Sequence, residues 1–176
     1  MKLKICLLGL ALMCLSAGGK KEYPVPEKKA NHLFYIQRTV NTNTIMYTAN
    51  FDAEGRLKKD EPVKVFWINY ADDGGQSELN ALEKKFAYGV KHNARNDDFN
   101  EFELKLAAYS KVQMVLKWHA PFQAKVYMVD MENQLELDHA FITANNSGLF
   151  TRVESIKVFL KEPGSNGCIE KEVYRK

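Results

Sequence analysis

Apolar and polar residues alternate along most of the chain, and a period of two predicts β-strands. The alternation is clearest at 101–106, where Phe102, Leu104 and Leu106 share one face and charged residues fill the other. Two segments, 62–70 and 123–131, are apolar on both faces, as is typical of strands covered on both sides. The same criteria predict further strands at 33–39, 45–51, 112–118, 135–141, 156–160 and 168–174.

The period changes to that of a helix only around residues 77–89. Leu79, Leu82 and Phe86 are spaced as one apolar stripe of a short amphipathic helix. The hydroxyl of Ser77 can cap its first turn, and Gly89 is placed to end it. We therefore expect a helix over 78–87 that buries this stripe against the sheet.

About nine strands and one short helix predict a mainly β fold, either an antiparallel β-sandwich or a small barrel. The pattern leaves the choice between the two open. The lysine-rich stretch 20–31 contains Pro24 and Pro26 and predicts a flexible linker. No repeat or second change of composition follows, so a single β-rich domain is expected over 32–176.

The first 19 residues have the features of a signal peptide. Two lysines precede an apolar run at 5–15, which is too short to cross a bilayer, and small residues follow it. We expect export to the periplasm or cell envelope, with the mature chain starting between residues 18 and 20. The less favoured alternative is lipidation of Cys14, where Met13 is larger than the residue usually found before a lipidated cysteine.

Charge and cysteine content narrow the classes of function. The formal net charge is +3, and Lys2 and Lys4 belong to the leader, so the mature domain is nearly neutral. This gives no basis for binding nucleic acid or an anionic membrane. Cys168 is the one cysteine outside the leader, so the mature domain cannot form an internal disulfide. We expect Cys168 to be buried, and pairing between two chains is the alternative.

Three segments of the sequence are distinctive: HLFYIQRT at 32–39, PVKVFWINY at 62–70 and LNALEKKFAYG at 79–89. The most specific feature is a proline, a strand and a tryptophan placed before a helix that ends in Ala-Tyr-Gly. This pattern resembles an uncharacterised family of exported bacterial proteins, catalogued as a domain of unknown function (number forty-eight thirty-three). The resemblance implies an exported domain and adds no activity.

The sequence contains no catalytic or metal-binding motif. Its four histidines lack the paired spacing of zinc sites, and there is no phosphate-binding loop or nucleophile elbow. No cofactor or metal is therefore predicted. Asp72 and Asp73 are adjacent carboxylates, but their spacing does not match a calcium loop. We expect them to form a polar turn that leads into the helix.

The candidate ligand-binding residues are Arg38, Trp67, Tyr70 and Tyr88, which lie near the ends of predicted elements. Trp and Tyr offer flat apolar surfaces with a polar tip, and Arg offers a planar set of donors that suits carboxylates. A cleft formed by these residues would suit a sugar, a peptide end or a small aromatic acid. The alternative is that they close the core where the helix packs on the sheet.

These observations favour a non-enzymatic domain that binds a small molecule or an envelope protein. One alternative is a hydrolase whose site forms only in three dimensions, from His119 or His139 with Asp72 or Asp73. Another is a carrier that holds a small apolar ligand inside a β-barrel, and a closed barrel with an internal cavity would favour it.

Overall fold

The computed structural model describes residues 23–129, 134–145, 152–161 and 167–175. The predicted signal peptide, its cleavage site and Cys14 lie outside the described residues. The described chain forms eleven strands and one helix, where sequence periodicity predicts about nine strands. The elements are β1 (His32–Arg38), β2 (Asn41–Ala49), β3 (Val63–Ile68), β4 (Gln76–Glu78), α1 (Ala81–Phe86), β5 (Val90–Ala94), β6 (Glu101–Leu106), β7 (Met114–Ala120), β8 (Gln123–Val129), β9 (Gln134–Asn145), β10 (Arg152–Lys161) and β11 (Cys168–Arg175).

All eleven strands belong to one sheet that curls into a half-barrel, which confirms the predicted mainly β fold. The strand order is β4-β3-β2-β1-β9-β8-β7-β6-β5, and β10 and β11 continue from β9. Strand β9 joins the two halves, because its first residues pair with β8 and its later residues pair with β1. The β1–β9 pair is parallel, whereas the other strand pairs of the described chain are antiparallel.

The hydrophobic core lies inside the curl of the sheet. On β6, Phe102 and Leu104 are fully buried, as the alternation predicts. From the other half, Phe34 on β1 stacks on Tyr47 of β2, with ring centroids 4.2 Å apart. Since both halves contribute buried side chains to one cluster, the curl is held by packing across its interior.

The helix begins later than predicted. Its N-cap is Asn80, whose side chain accepts the backbone N–H of Glu83 at 2.9 Å, while the Glu83 carboxylate accepts the N–H of Asn80 at 2.9 Å. This reciprocal pair is a capping box. Ser77, which the sequence suggests as the cap, lies instead in β4, opposite Trp67. Strand pairing satisfies the backbone of residues 76–78, so the helix starts only after them.

The apolar stripe of the helix is largely exposed, and the predicted packing is wrong for two of its three residues. Leu79 is buried, with 3 % of its surface exposed, but it lies before the helix. Leu82 and Phe86 are 70 % and 61 % exposed. Because the helix has only six residues and is tied to the sheet through Leu79 and the cap, its remaining apolar side chains face solvent.

The segment preceding β1 contacts the sheet over its described part. This segment, predicted as a linker over 20–31, packs the ring of Tyr23 edge-on against Phe141 of β9, with centroids 4.9 Å apart. The carbonyl of Pro24 accepts a hydrogen bond of 2.7 Å from the side chain of Gln37 on β1. Residues 23–31 therefore lie across the outer face of β1 and β9.

Cys168, expected to be buried, is exposed. It begins β11, whose partner in the described sheet is β10, and it stands opposite Lys161. A residue at the start of such a strand is not covered by the core. Among the described residues, no helix is both long and apolar enough to cross a lipid bilayer.

Candidate functional site

A cavity of about 310 Å³ opens inside the half-barrel, and we call it the inner cavity. Its walls come from β1, from β6 to β11 and from the loops that follow α1 and β6. The two halves of the sheet diverge from β9, and side chains from the two halves leave this space between them. A volume of this size is at the lower end of the range for small-molecule sites.

The wall of the inner cavity is apolar. Apart from three tyrosines, the described residues that line it are alanine, valine, leucine, isoleucine, methionine and phenylalanine. Met114 and Met128 face each other across β7 and β8. Methionine side chains adapt to irregular shapes, which suits a pocket that must fit an apolar body. The lining contains no charged group that would bind a substrate by an ion pair or act in acid–base catalysis.

Three of the four sequence-predicted ligand residues meet beside this cavity. The guanidinium carbon of Arg38 lies 4.7 Å from the ring centroid of Trp67 and 5.5 Å from that of Tyr88. One Nη atom of Arg38 donates a 2.6 Å hydrogen bond to the hydroxyl of Tyr88, and the other donates at 3.0 Å to the Asn41 side chain. Since Tyr88 also lines the cavity, this group, which we call the arginine cluster, adjoins it.

Each member of the arginine cluster is held by the surrounding fold. The rings of Trp67 and Tyr88 contact edge to face, with centroids 5.2 Å apart. Trp67 is buried, and its indole N–H lies 3.4 Å from the Glu83 carboxylate of the helix cap. The carbonyl of Tyr88 accepts a 2.8 Å hydrogen bond from the Tyr47 hydroxyl. Burial raises the pKa of that hydroxyl well above its usual value, so it remains a donor.

Tyr70 is the candidate that the structure does not bring to the arginine cluster. It lies in the turn that follows β3, two residues beyond the end of that strand. Burial and the nearby carboxylate of Glu27, in the segment before β1, raise the pKa of Tyr70. This places Tyr70 near the outer side of the sheet and away from the inner cavity.

A β-bulge in β9 forms a second group of polar residues on the outer face. His139 stands opposite Phe159 of β10, but Leu160 stands opposite Leu137, so Asp138 is the extra residue. As a result, Leu137 and Ala140 both line the inner cavity although they are three positions apart. The outer cluster comprises Lys28, Tyr35, Asp138, His139, Phe159 and Lys161.

Aromatic stacking organises the outer cluster across three strands. The imidazole of His139 stacks between Tyr35 on β1 and Phe159 on β10, with centroid distances of 4.9 and 4.1 Å. The three rings are nearly parallel, at interplanar angles of 3° and 5°. Burial, followed by the Asp138 charge, raises the pKa of Tyr35 to about 12.

Asp138 is the electrostatic centre of the outer cluster. Its carboxylate lies 2.8 Å from Nδ1 of His139, accepts a 2.6 Å hydrogen bond from Lys28 and pairs with Lys161. The hydrogen bond from His139, opposed by burial and assisted by those from Lys161 and Lys28, holds the pKa of Asp138 well below its usual range. A carboxylate bound by three donors is a poor general base, and the arrangement ties the segment before β1 to the sheet.

His32 lies next to the outer cluster, in contact with Tyr35. Its ring contacts Tyr35 edge to face at 5.9 Å, and neither ring nitrogen has a hydrogen-bond partner. Burial, with the charge of Lys28 adding to it, lowers the pKa of His32. The folded protein therefore favours the neutral imidazole at this position.

The residues considered for a hydrolase have other partners. His119 lies 3.0 Å from the Tyr127 hydroxyl, and His139 lies against Asp138. Asp73 accepts the backbone N–H of Gly75 at 2.8 Å in an exposed turn, and this turn leads into β4 and not into the helix as predicted. No group of three or more potential metal ligands occurs in the described ranges.

Sequence reasoning did not identify the inner cavity. Its lining residues are ordinary inward-facing apolar positions on several strands, and nothing local distinguishes them from core residues that leave no space. One feature of the sequence could have predicted the outer cluster: Asp138 and His139 are consecutive polar residues inside an otherwise alternating strand. Such a break in the alternation is what a β-bulge produces.

Comparison with known protein families gives one finding. The family described as Domain of unknown function (DUF4833) matches residues 34–172. The match begins within β1 and ends within β11, so it includes most of the inner cavity and of the outer cluster but not Lys28, Val173 or Tyr174. Comparison with curated proteins and with solved structures gives no match.

Proposed function

The chain belongs to the DUF4833 family, whose description assigns no function, and on that basis we propose a function from its geometry: it is a non-enzymatic domain that binds a small apolar molecule in the inner cavity. The single observation that carries the proposal is an apolar space of about 310 Å³ within a closely packed β fold. Protein interiors rarely keep voids much larger than a water molecule, because unfilled space loses packing energy.

The size and lining of the cavity define the ligand. At about 30 Å³ for an atom of the size of water, the space holds roughly ten non-hydrogen atoms. An apolar ligand of this size would remove both its own surface and the cavity wall from water, at about 25 cal/mol per Å² of apolar surface. The sheet is a half-barrel and not the closed barrel expected of a small-ligand carrier, so the proposal is supported by the cavity alone.

Titration with 1-aminonaphthalene, a neutral fluorescent probe of about the size that the cavity holds, tests the proposal. Because the probe is apolar and its emission shifts to shorter wavelength out of water, we expect saturable binding to the folded protein and none after unfolding in urea. A matched pair of variants locates the probe. Val153→Trp places a large ring at the cavity rim, whereas Val129→Trp changes a similarly exposed valine away from it.

We expect Val153→Trp to weaken binding and Val129→Trp to leave it unchanged. Both valines are more than one third exposed, so neither substitution should disturb the core. Absence of saturable binding to the unmodified protein would remove the basis for a ligand-binding function. Equal binding by the two variants would place the probe outside the cavity and contradict the proposed site.

Export to the periplasm or cell envelope is part of the same proposal. It is supported by the basic start, the apolar run at 5–15 and the small residues that follow. An exported binding domain would meet its ligand outside the cytoplasm. Intact-mass measurement of the protein from the envelope fraction should show a chain that starts between residues 18 and 20, whereas a diacylglycerol adduct on Cys14 would show lipidation instead.

A further inference from the structure

The guanidinium of Arg38 is partly buried, and no carboxylate in the part of the chain that the structure describes forms an ion pair with it. Its described hydrogen-bond partners, Tyr88 and Asn41, are both neutral, and its ring contacts are with Trp67 and Tyr88. Its Nε atom is buried and has no hydrogen-bond partner. Charged groups out of contact with water are normally paired, because an unpaired charge loses hydration without compensation.

The strand register places Arg38 beside the inner cavity. In the parallel pair of β1 and β9, Ile36 stands next to Ala140 and Arg38 next to Ile142. Ile36, Ala140 and Ile142 all line the cavity, and Arg38 is on the same face of β1 as Ile36. The side chain of Arg38 is therefore at the end of the cavity formed by the last residues of β1.

The cavity wall near this end includes an exposed residue. Ile142 stands opposite Ile156 on β10, and Val153, which lines the same cavity, is close to the start of that strand. Val153 is partly exposed, whereas Leu137 at the other end of the lined part of β9 is buried. A ligand entering beside Val153 would bury its far end near Leu137 and leave its near end beside the arginine cluster.

We propose that Arg38 anchors the carboxylate of a ligand whose apolar body fills the inner cavity, so that the ligand is an amphipathic acid with a body of roughly ten non-hydrogen atoms. This inference rests on the proposed function. The carboxylate supplies the missing countercharge and accepts the Nη hydrogens that Tyr88 and Asn41 leave unused. Contacts with the rings of Trp67 and Tyr88, at 4.7 and 5.5 Å from their centroids, hold the guanidinium beside the cavity.

The direct test is competition between decanoate and decan-1-ol for the bound neutral probe. The two ligands have similar apolar chains and differ in the charged head group. Because a hydrogen bond to a charged group contributes about 1.5 to 3 kcal/mol, decanoate should displace the probe at roughly 10- to 150-fold lower concentration than decanol at pH 7.

Substitution of Arg38 separates anchoring from packing. Arg38→Gln should abolish the preference for decanoate over decanol while the probe still binds, and Arg38→Lys should keep part of it. The control is Arg56→Gln, since Arg56 also lies over a tryptophan, Trp118 at 5.5 Å, but its described contacts include no residue of the cavity wall, whereas Arg38 bonds to Tyr88. If Arg38→Gln fails to fold, Arg38→Lys carries the test, because it keeps the charge and loses the planar donors.

Two outcomes distinguish the failure of this inference from that of the proposed function. If the neutral probe binds but decanoate is not preferred, or Arg38→Gln and Arg38→Lys both keep the full preference, the carboxylate anchor is wrong and the apolar site remains. If neither the probe nor decanoate binds the unmodified protein, both proposals are wrong.

Discussion

Strand β9 has two faces that differ in chemistry although they share one backbone. On the inner face, Leu137, Ala140 and Ile142 line an apolar cavity. On the outer face, Asp138 and His139 belong to a cluster of stacked rings and charges. The cluster is packed and hydrogen-bonded, whereas the cavity is apolar and incompletely filled. This contrast indicates that contacts on the outer face stabilise the sheet, whereas the inner face leaves a space beside the core.

The bulge at Asp138 is what makes the two faces compatible. In a regular strand, residues 137 and 140 would point to opposite faces. The extra residue allows both of them to face the cavity while two consecutive polar residues turn outward. The extra residue, Asp138, is thus the electrostatic centre of the outer cluster, and its insertion also allows Leu137 and Ala140 to face the cavity.

The largest expected effect is a loss of unfolding free energy on substitution of a core residue, compared with residues on the outer face and the helix. Replacing Phe102, which is 1 % exposed in the core, with Ala should lower the free energy of unfolding by about 3 to 5 kcal/mol. Phe159→Ala on the outer face should cost about 1 to 2 kcal/mol, because it loses one stacking contact with His139 and partial burial. Phe86→Ala on the exposed helix should change stability by less than about 0.5 kcal/mol. Urea unfolding of the three variants measures this order, and equal losses would contradict the assigned packing.

Asp138→Asn tests the electrostatic centre of the outer cluster. We expect a loss of about 1 to 3 kcal/mol at pH 7, because Lys28, His139 and Lys161 lose their anionic partner. The pKa of Asp138 is lower in the folded protein than in the unfolded chain. Its contribution to stability is therefore complete above the ordinary carboxyl pKa and is lost as the pH falls below that value.

The difference in unfolding free energy between the unmodified protein and Asp138→Asn should accordingly shrink between pH 5 and pH 3. Urea unfolding at several pH values measures it. Glu54→Gln is the control, since that carboxylate is exposed. A difference that stays constant over this range would show that the carboxylate does not contribute through its charge.

The smallest expected effect comes from His32. Burial lowers its pKa in the folded protein, whereas the unfolded chain titrates near 6.5. Stability should therefore be unaffected above pH 6.5 and should fall as the pH decreases below it, because the unfolded chain takes up the proton more readily. His32→Gln should reduce this slope between pH 6.5 and 5, and His119→Gln is the matched control. An unchanged slope in His32→Gln would contradict the burial of the neutral ring.

The sequence predicted the fold class because alternation reports directly which side chains face a core. At β6, the pattern of Phe102 and Leu104 is the pattern of burial. It missed β4 and β5, which are short and mostly polar, and it assigned residues 77 and 78 to a helix. It also predicted burial for Leu82 and Phe86, because periodicity shows that a helix has an apolar face but not whether the sheet covers that face.

The candidate site was predictable only in part. Arg38, Trp67 and Tyr88 come from three elements that the distinctive segments mark, and the structure brings them together. Tyr70 satisfied the same criteria, but it lies in the turn after β3, and a sequence pattern does not show which way a turn residue faces. The inner cavity depends on how far two halves of a sheet diverge, which is a property of strand register and not of any one segment.

The parallel pairing of β1 with β9 has a consequence for the order of folding. Thr39 and Ala144, which exchange hydrogen bonds beside this pair, are 105 residues apart in the chain. The hairpins β1–β2 and β6–β7 close much shorter loops and can form early, whereas the central seam must await nearly the whole domain. Until then the facing edges of β1 and β9 remain open to pairing with other chains, so refolding at high protein concentration should favour association over recovery of the native fold.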